Sequence, residues 1–349
     1  SYVTRYFNNP QTQTQQLSLF RTIKVRQNSE SIKVNFFANG KLTLTAAAYH
    51  SGYPTGATDS GTDFSGQDYL RTSNEKIDNS GGYTNIGYKW NERNTLTLKG
   101  SYYYYRYAIA YPGSDIEKYR SAMREYTGEL LWETRGRLWG HDHDINAGFK
   151  NVYRANSTSS ALSKQTSYSI QQLYLTDYYA FTRSLSAYLI LKGECDNLGY
   201  HHNFIFLPSL RLNYNLKKGG SLSANYQRRI TRPSVDYLNA DTLFINNFTR
   251  QVGNPNLQSQ HNDSYSLSWR RQIRKAYLTL TANYEREADM ISQIYITPNN
   301  YDVTTYANIG HSDYAALSAN ITQRFCQNRM NVSLSVTGFH RAYQLDQAY

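Results

Sequence analysis

The strongest constraint on this 349-residue chain is a two-residue rhythm. In 41–49, Leu42, Leu44, Ala46 and Ala48 alternate with other residues. In 184–193 the apolar set is Leu185, Ala187, Leu189 and Leu191, opposite Ser184, Ser186 and Lys192. In 209–216 it is Leu210, Leu212, Tyr214 and Leu216, opposite Ser209, Arg211, Asn213 and Asn215. Val332, Leu334 and Val336 oppose Asn331, Ser333, Ser335 and Thr337. Similar runs cover 221–226, 264–269, 277–284 and 315–321. Side chains of extended backbone point alternately to opposite faces, so each run is a strand between two unlike environments.

A soluble sandwich alternates too. Two features point elsewhere. The apolar sets are lean, often Leu and Ala, and the opposite sets are Ser, Thr, Asn and Lys with few acids. Charged residues are only 18% of the chain, against roughly 25% in soluble domains, and hydrophobic ones only 40%. A lipid-facing wall around a wet lumen needs that combination. Second, the connections alternate in length. Short links fall at 38–40, 90–94, 135–137, 182–184, 217–220 and 326–329. Long ones span about 50–81, 107–122, 154–166, 194–204, 229–262 and 288–303. Asn-Gly and Gly-Gly pairs in the short links accept the positive φ of hairpin turns. Such alternation puts tight turns at one end, the periplasmic end in bacterial outer-membrane barrels, and long loops at the other. No apolar run approaches the roughly 18 residues of a membrane helix. The expected fold is all-β: a large antiparallel transmembrane outer-membrane β-barrel, located in the bacterial outer membrane.

The 34 tyrosines fit this reading. Tyrosine sets its ring at the lipid boundary and its hydroxyl in water. A strand climbing through Leu96 and Leu98 reaches Tyr102–Tyr-Tyr-Tyr105 at the outer interface. Tyr102 and Tyr104 are expected in an aromatic girdle with Tyr226 and Tyr284, and Tyr49 near another loop end. Tyr103 and Tyr105 face the lumen or the strand extension above it. Counting runs gives roughly 15–16 strands in one β-barrel domain over 1–349. The pattern is under way at both ends of the chain, which is expected of part of a larger barrel.

The stretch Tyr226-Gln-Arg-Arg-Ile-Thr-Arg-Pro-Ser-Val-Asp-Tyr-Leu-Asn239, followed by Gln251-Val-Gly-Asn-Pro-Asn-Leu257, resembles the outer-membrane β-barrel proteins of Bacteroidetes related to TonB-dependent receptors. Arg228, Arg229, Arg232, Pro233, Leu238, Asn239, Gly253, Asn254, Pro255, Asn256 and Leu257 fall on that pattern; Gln258-Ser-Gln260 replaces the family's frequent Lys-Pro-Glu. Segments 206–214, 306–311 and 140–149 resemble further strands of such receptors. The resemblance implies a barrel of about 22 strands, a plug domain, uptake energised through TonB, and often a surface lipoprotein partner. No segment matches a plug or a TonB-contacting element, so the plug is expected outside this chain. Arg228, Arg229, Arg232, Pro233, Tyr237, Asn239, Gly253, Asn254 and Pro255 are the candidate ligand-binding or loop-organising residues, with organisation of the loop base favoured.

Other chemistries are weaker. His141-Asp-His-Asp144 could clamp a metal from one strand face, but its position after a short turn reads better as a solvated turn-proximal face, and no metal or cofactor is expected. His201-His202 point apart on extended backbone. No nucleophile elbow, His-Glu-x-x-His or phosphate-cradling loop occurs, so no catalytic residue is assigned and the chain is not expected to be an enzyme. Cys195 and Cys326 read as free thiols. The net charge of +11 is scattered, without the dense basic block of a nucleic-acid binder. Phosphates of outer-membrane lipid and lipopolysaccharide at the upper rim are a plainer partner for it, and lumenal Lys99, Lys192 and Arg211 would favour anionic solutes. The functional expectation is a receptor and transporter barrel of TonB-dependent type that takes up a nutrient bound by its long extracellular loops. The alternative is a non-transporting barrel acting as a scaffold or secretion component of a surface complex.

Overall fold

The computed structural model describes residues 2–9, 12–25, 27–38, 40–62, 68–110, 119–159, 163–197, 203–217, 219–238, 240, 242–244, 249–296, 302–325 and 330–346. Asn239, His201, His202 and Cys326 lie outside them, as do parts of several predicted links. In chain order the strands are β1 (Tyr2–Asn9), β2 (Thr12–Val25), β3 (Asn28–Ala38), β4 (Leu42–Thr62), β5 (Asp68–Lys89), β6 (Asn94–Ala110), β7 (Tyr119–Leu138) and β8 (His141–Ser159). Then come β9 (Ser163–Ala180), β10 (Leu185–Asp196), β11 (Asn203–Phe206), β12 (Ser209–Leu216) and β13 (Gly220–Thr231). A single helical turn, α1 (Val235–Leu238), precedes β14 (Thr242–Phe244) and β15 (Thr249–Val252). The rest are β16 (Gln260–Ile273), β17 (Ala276–Ala288), β18 (Ile291–Ile296), β19 (Asp302–Asn308), β20 (Gly310–Phe325) and β21 (Met330–Leu345).

Contacts divide the chain into two compact units. The first comprises Ser1–Ile86, Lys99–Gly128 and Val152–Tyr168. Here β2 and β3 run as one ribbon along β4: Val25 pairs with Thr55 and Asn28 with Gly52, and β1 folds back on β2. The second comprises Gly87–Leu98, Glu129–Asn151 and Ser169–Tyr349. Its ladder is antiparallel and follows chain order from β9 through β10, β12, β13, β16, β17 and β20 to β21. β11 continues β12 beside β10. A separate small sheet joins β14, β15, β19 and β18, with β15 and β19 parallel.

The rhythm survives as two faces. On the apolar face of the second unit, Leu173, Leu267, Leu317 and Leu334 are 68%, 50%, 64% and 63% exposed, with Leu210, Leu212, Leu222 and Leu280 alongside them. The few buried apolar side chains among the described residues include Val152, Ile170, Leu207, Leu257 and Met290, so no second protein layer covers the leucine rows. Leaving such side chains in water forgoes about 1.5–3 kcal/mol each. A wall of them is stable against acyl chains. The opposite face is laced by hydroxyl pairs, Ser268 with Thr281 (3.2 Å), Ser318 with Thr337 (3.0 Å) and Thr322 with Ser333 (3.0 Å).

Short polar residues set the turns. Asn91 Oδ1 accepts hydrogen bonds from the amides of Arg93 (2.9 Å) and Asn94 (2.8 Å), and Thr182 Oγ1 from those of Ser184 and Leu185. Several expectations are corrected. The turn expected at 135–137 lies at Trp139–Gly140, both at positive φ (50° and 85°), while β7 runs on to Leu138. A two-residue turn at Arg274–Lys275, with Arg274 at φ 56°, was not anticipated, because no glycine marks it. The long links are largely strand: β4 reaches Thr62 and β5 starts at Asp68, inside the expected loop 50–81. Paired strands satisfy each other's backbone groups whether lipid or water surrounds them, so a hairpin need not end where the membrane does. Tyr49 belongs to the set opposite Ala46 and Ala48, with its hydroxyl over Gly81, so it is not on the girdle face.

Candidate functional site

The tyrosine row comes first, because it fixes the levels along the strands. Tyr226, Tyr265 and Tyr284 are mutual register partners on β13, β16 and β17, with ring centroids 4.8 and 6.0 Å apart. In the first unit, Tyr102 stands 5.1 Å from Tyr126. Tyr104 is half-buried, and the Tyr103 hydroxyl donates to Asn79 (3.3 Å) on the other face. One step beyond the second-unit row, on the same face, the register places Arg228, Asp263, Arg286 and Asp313 side by side. Arg228 donates through Nε and Nη2 to Asp263 (both 2.8 Å), which also accepts from the Tyr226 hydroxyl (2.9 Å). The Tyr284 hydroxyl donates to Asp313 (2.7 Å).

The motif therefore divides. Arg228 lies on the tyrosine face, whereas Arg229, one residue on, takes the opposite face and is exposed. Arg232 follows the end of β13 and spans two carboxylates of β10. Its Nη2 donates to Glu194 (2.5 Å) and its Nε to Asp196 (2.8 Å). Glu194 and Asp196 are almost fully buried, at 1% and 4% exposure. Lys192 Nζ (3.0 Å) and Gln172 Nε2 (2.7 Å) complete the shell of Glu194, and Asn203 Nδ2 reaches Asp196 (3.3 Å). This cluster lies beyond the tyrosine row: Leu207 bonds the Lys192 carbonyl, Arg228 bonds the Pro208 carbonyl, and Glu194 is two residues further along β10. Burial alone would raise the Glu194 carboxyl; hydrogen bonds from Arg232 and Lys192 outweigh it and hold the group below its ordinary value.

Beyond Arg232 the loop is tied on itself. Pro233 and Gly253 are buried. Tyr237 on α1 stacks on Tyr306 of β19, with centroids 3.8 Å apart and planes at 17°. The Asn254 amide donates to the Tyr237 carbonyl (2.6 Å) and Asn254 Nδ2 to the Tyr306 carbonyl (2.9 Å). The Asn256 amide returns to Asn254 Oδ1 (3.0 Å), leaving Pro255 at the bend between them. Asn308 closes the far side, accepting from the Gln258 amide (2.8 Å) and donating to the Asp289 (2.7 Å) and Gln258 (3.1 Å) carbonyls. Sequence reasoning missed Glu194, Asp196, Asp263, Tyr306 and Asn308 as partners. The only trace was that Glu194 and Asp196, two apart, share a strand face.

At the turn end the expectation of a solvated His141–Asp144 face fails for His143, which is 8% exposed. Its Nδ1 pairs with Asp177 Oδ2 at 2.8 Å, and the Tyr179 ring covers it at 4.6 Å. His141 also packs on Tyr179 (5.2 Å), so this strand start is an aromatic cluster. Cys195 is a free thiol.

Residues 199–349 match a family model described as "Outer membrane protein beta-barrel family". No curated protein matches the chain. Among solved structures it is similar to the outer membrane transporter YddB from Escherichia coli, with a TM-score of 0.63 and 11% identity over 94% of this chain and 55% of that one. It is also similar to the siderophore receptor PirA from Pseudomonas aeruginosa (TM-score 0.56, 14% identity, 93% of this chain and 68% of that one). A third is the hemophore receptor HasR of Serratia marcescens, solved with its hemophore HasA and heme (TM-score 0.58, 9% identity, 96% and 72%). The chain thus spans about half the length of the YddB chain, and at these identities the likeness is one of fold. Exposed leucine rows, a polar reverse face and these matches lead to one conclusion: the chain is an all-β protein of the outer membrane with the fold of outer-membrane β-barrel transporters, and its residues 199–349 match the outer-membrane β-barrel family.

Proposed function

We propose that the chain is the barrel portion of a receptor-type transporter, which takes up a nutrient captured by its folded extracellular loops. The observation that carries this reading is the tied loop beyond Arg232. A segment held by two buried carboxylates, a tyrosine stack and reciprocal Asn bonds presents a preformed surface, and preformed surfaces lose little entropy on binding. Arg232, Pro233, Tyr237, Gly253, Asn254 and Pro255 organise that surface, and its Tyr, Asn and Gln groups suit glycans or peptides. The Arg-Pro to Gly-Asn-Pro-Asn-Leu block supports kinship with Bacteroidetes receptors, and with it energisation through TonB and a surface lipoprotein partner. Tyr102, Tyr104, Tyr226 and Tyr284 form the outer girdle, where lipopolysaccharide phosphates meet Arg228 and Arg286. The chain carries transport rather than catalysis.

The test is a strain lacking residues 234–258 of this protein, compared with wild type for uptake of labelled glycans, peptides and siderophores. The expected result is loss of uptake of one class with the barrel still present in the outer membrane. Undiminished uptake of every class that the wild type imports would refute the loop as the capture element.

A further inference from the structure

At the turn end Arg135 pairs with Asp144 (3.1 Å), but the cations around the turns after β12 and β16 have no acid partner among the described residues, unlike two arginines at the loop end. Arg228 faces Asp263, and Arg232 faces Glu194 and Asp196. Three stretches, 197–235, 264–284 and 314–345, contain no Asp or Glu. The ladder brings them together as the whole of β12, β13 and β21 and the turn halves of β16, β17 and β20. The acids of β16, β17 and β20 all stand at the other end: Asp263, Glu285, Glu287 and Asp313. Charge is therefore polarised along these strands.

At the acid-free end, two neighbouring turns concentrate the charge. Lys217 follows the last residue of β12, and Arg274 and Lys275 form the β16–β17 turn; the Gln272 amide bonds the Gly219 carbonyl (3.2 Å), so the two turns adjoin. Arg271 belongs to the apolar set of β16, with Trp269 and Leu267. Its register neighbours are Gly220, which brings no side chain of its own, and Leu278. None of the Lys217, Arg271, Arg274 and Lys275 side chains has a hydrogen bond or ion pair to a described residue, and all four are exposed. An arginine on a membrane-facing row, two residues from an interfacial tryptophan, meets whatever lies in the membrane plane at headgroup depth.

We propose that this end of the second unit binds the phosphates of anionic glycerophospholipids in the surrounding leaflet. Arg271, Arg274, Lys275 and Lys217 supply the donors, and Trp269 packs against the glycerol and upper acyl region. Arginine matches a phosphate with paired N–H donors, and basic side chains clustered at a membrane surface draw anionic lipid additively. A soluble acidic partner accounts for the turn-tip charges but not for Arg271, which sits in the leucine row. The inference requires only that the protein spans the membrane, not that it transports.

The protein is reconstituted in vesicles of equal parts phosphatidylethanolamine and phosphatidylglycerol, extracted in mild detergent, and its retained phospholipid measured by mass spectrometry. Wild type is expected to retain phosphatidylglycerol above its bulk share. The Arg271→Gln, Arg274→Gln, Lys275→Gln variant is expected to lose that enrichment about fivefold or more, while Lys33→Gln leaves it unchanged. Equal enrichment in the triple variant and wild type, or none in wild type, overturns the proposal. Should the triple variant not fold, Arg271→Gln alone and a sodium chloride titration of wild type decide. Enrichment must weaken in the single variant and with salt; indifference to both overturns it. Complete displacement of the lipid by inorganic phosphate, or capture of a polyglutamate peptide without lipid enrichment, would replace the lipid site with a plain anion site and equally overturn it.

Discussion

At the residue scale, Arg232 links the loop to the strands. It is one guanidinium between two buried carboxylates, and its planar fork reaches both at once. Removing one partner of a buried charge network leaves the others uncompensated, at a cost of about 3–5 kcal/mol. Arg232→Ala should therefore open the loop to limited proteolysis between residues 233 and 258 while the barrel stays folded, and Arg232→Lys should restore protection only in part. Glu194 adds a pH dependence. Its carboxyl is held below its ordinary value in the folded state, so its stabilisation is complete above that ordinary value and is lost as pH falls through the lowered one. Hydrogen exchange of the loop amides should accelerate on acidification through that window, and Glu194→Gln should flatten the response; an unchanged profile in that variant would assign the effect elsewhere. Gly148 makes a second local demand. A Cβ there would lie 2.3 Å from the Tyr174 ring, whose hydroxyl donates to Glu129 (2.6 Å). Gly148→Ala should push the ring off the glutamate and lower the unfolding temperature in detergent, with partial recovery in Gly148→Ala, Tyr174→Phe.

At the element scale, the two faces of one strand make the sharpest contrast. Leu267 and Ser266 are neighbours on β16, one in the leucine rows and the other among hydroxyls. Leu267→Arg should cost about 2–4 kcal/mol in folding into vesicles and Ser266→Arg far less. Similar costs at both positions would contradict the face assignment. Strand identity was legible from the sequence because alternation is written into consecutive residues. Turn position was less so. Gly136 drew the expected turn three residues early, but a glycine within a strand is tolerated, and the reversal went to Trp139–Gly140, where two successive positive-φ residues match the twist of the flanking strands. Arg274–Lys275 had no such flag, and the ladder itself, pairing Ile273 with Ala276, imposes the reversal on ordinary residues.

For the molecule as a whole, outer-membrane residence is the consequence open to direct measurement. The protein should sediment with the outer-membrane fraction and resist carbonate extraction, and recovery as a stable monomer without detergent would be incompatible with the exposed leucine rows. The distribution of charge is also a whole-molecule property. From the sequence, where Lys and Arg are dispersed, the net +11 pointed to lipid phosphates at the upper rim and to anionic solutes in the lumen. Folding sorts the cations: Arg228 and Arg232 at the loop end find carboxylates, while Lys217, Arg271, Arg274 and Lys275 adjoin acid-free strands. The sequence by itself determined which residues alternate, hence which face meets lipid, because side-chain direction on a strand is a local consequence of backbone geometry. Tertiary structure alone decided the partners of Arg228 and Arg232, the closure of the Gly253–Leu257 segment on Tyr237 and Tyr306, and the segregation of charge. Each of those depends on the register between strands 20 or more residues apart, and register is a relation between segments that no single segment encodes.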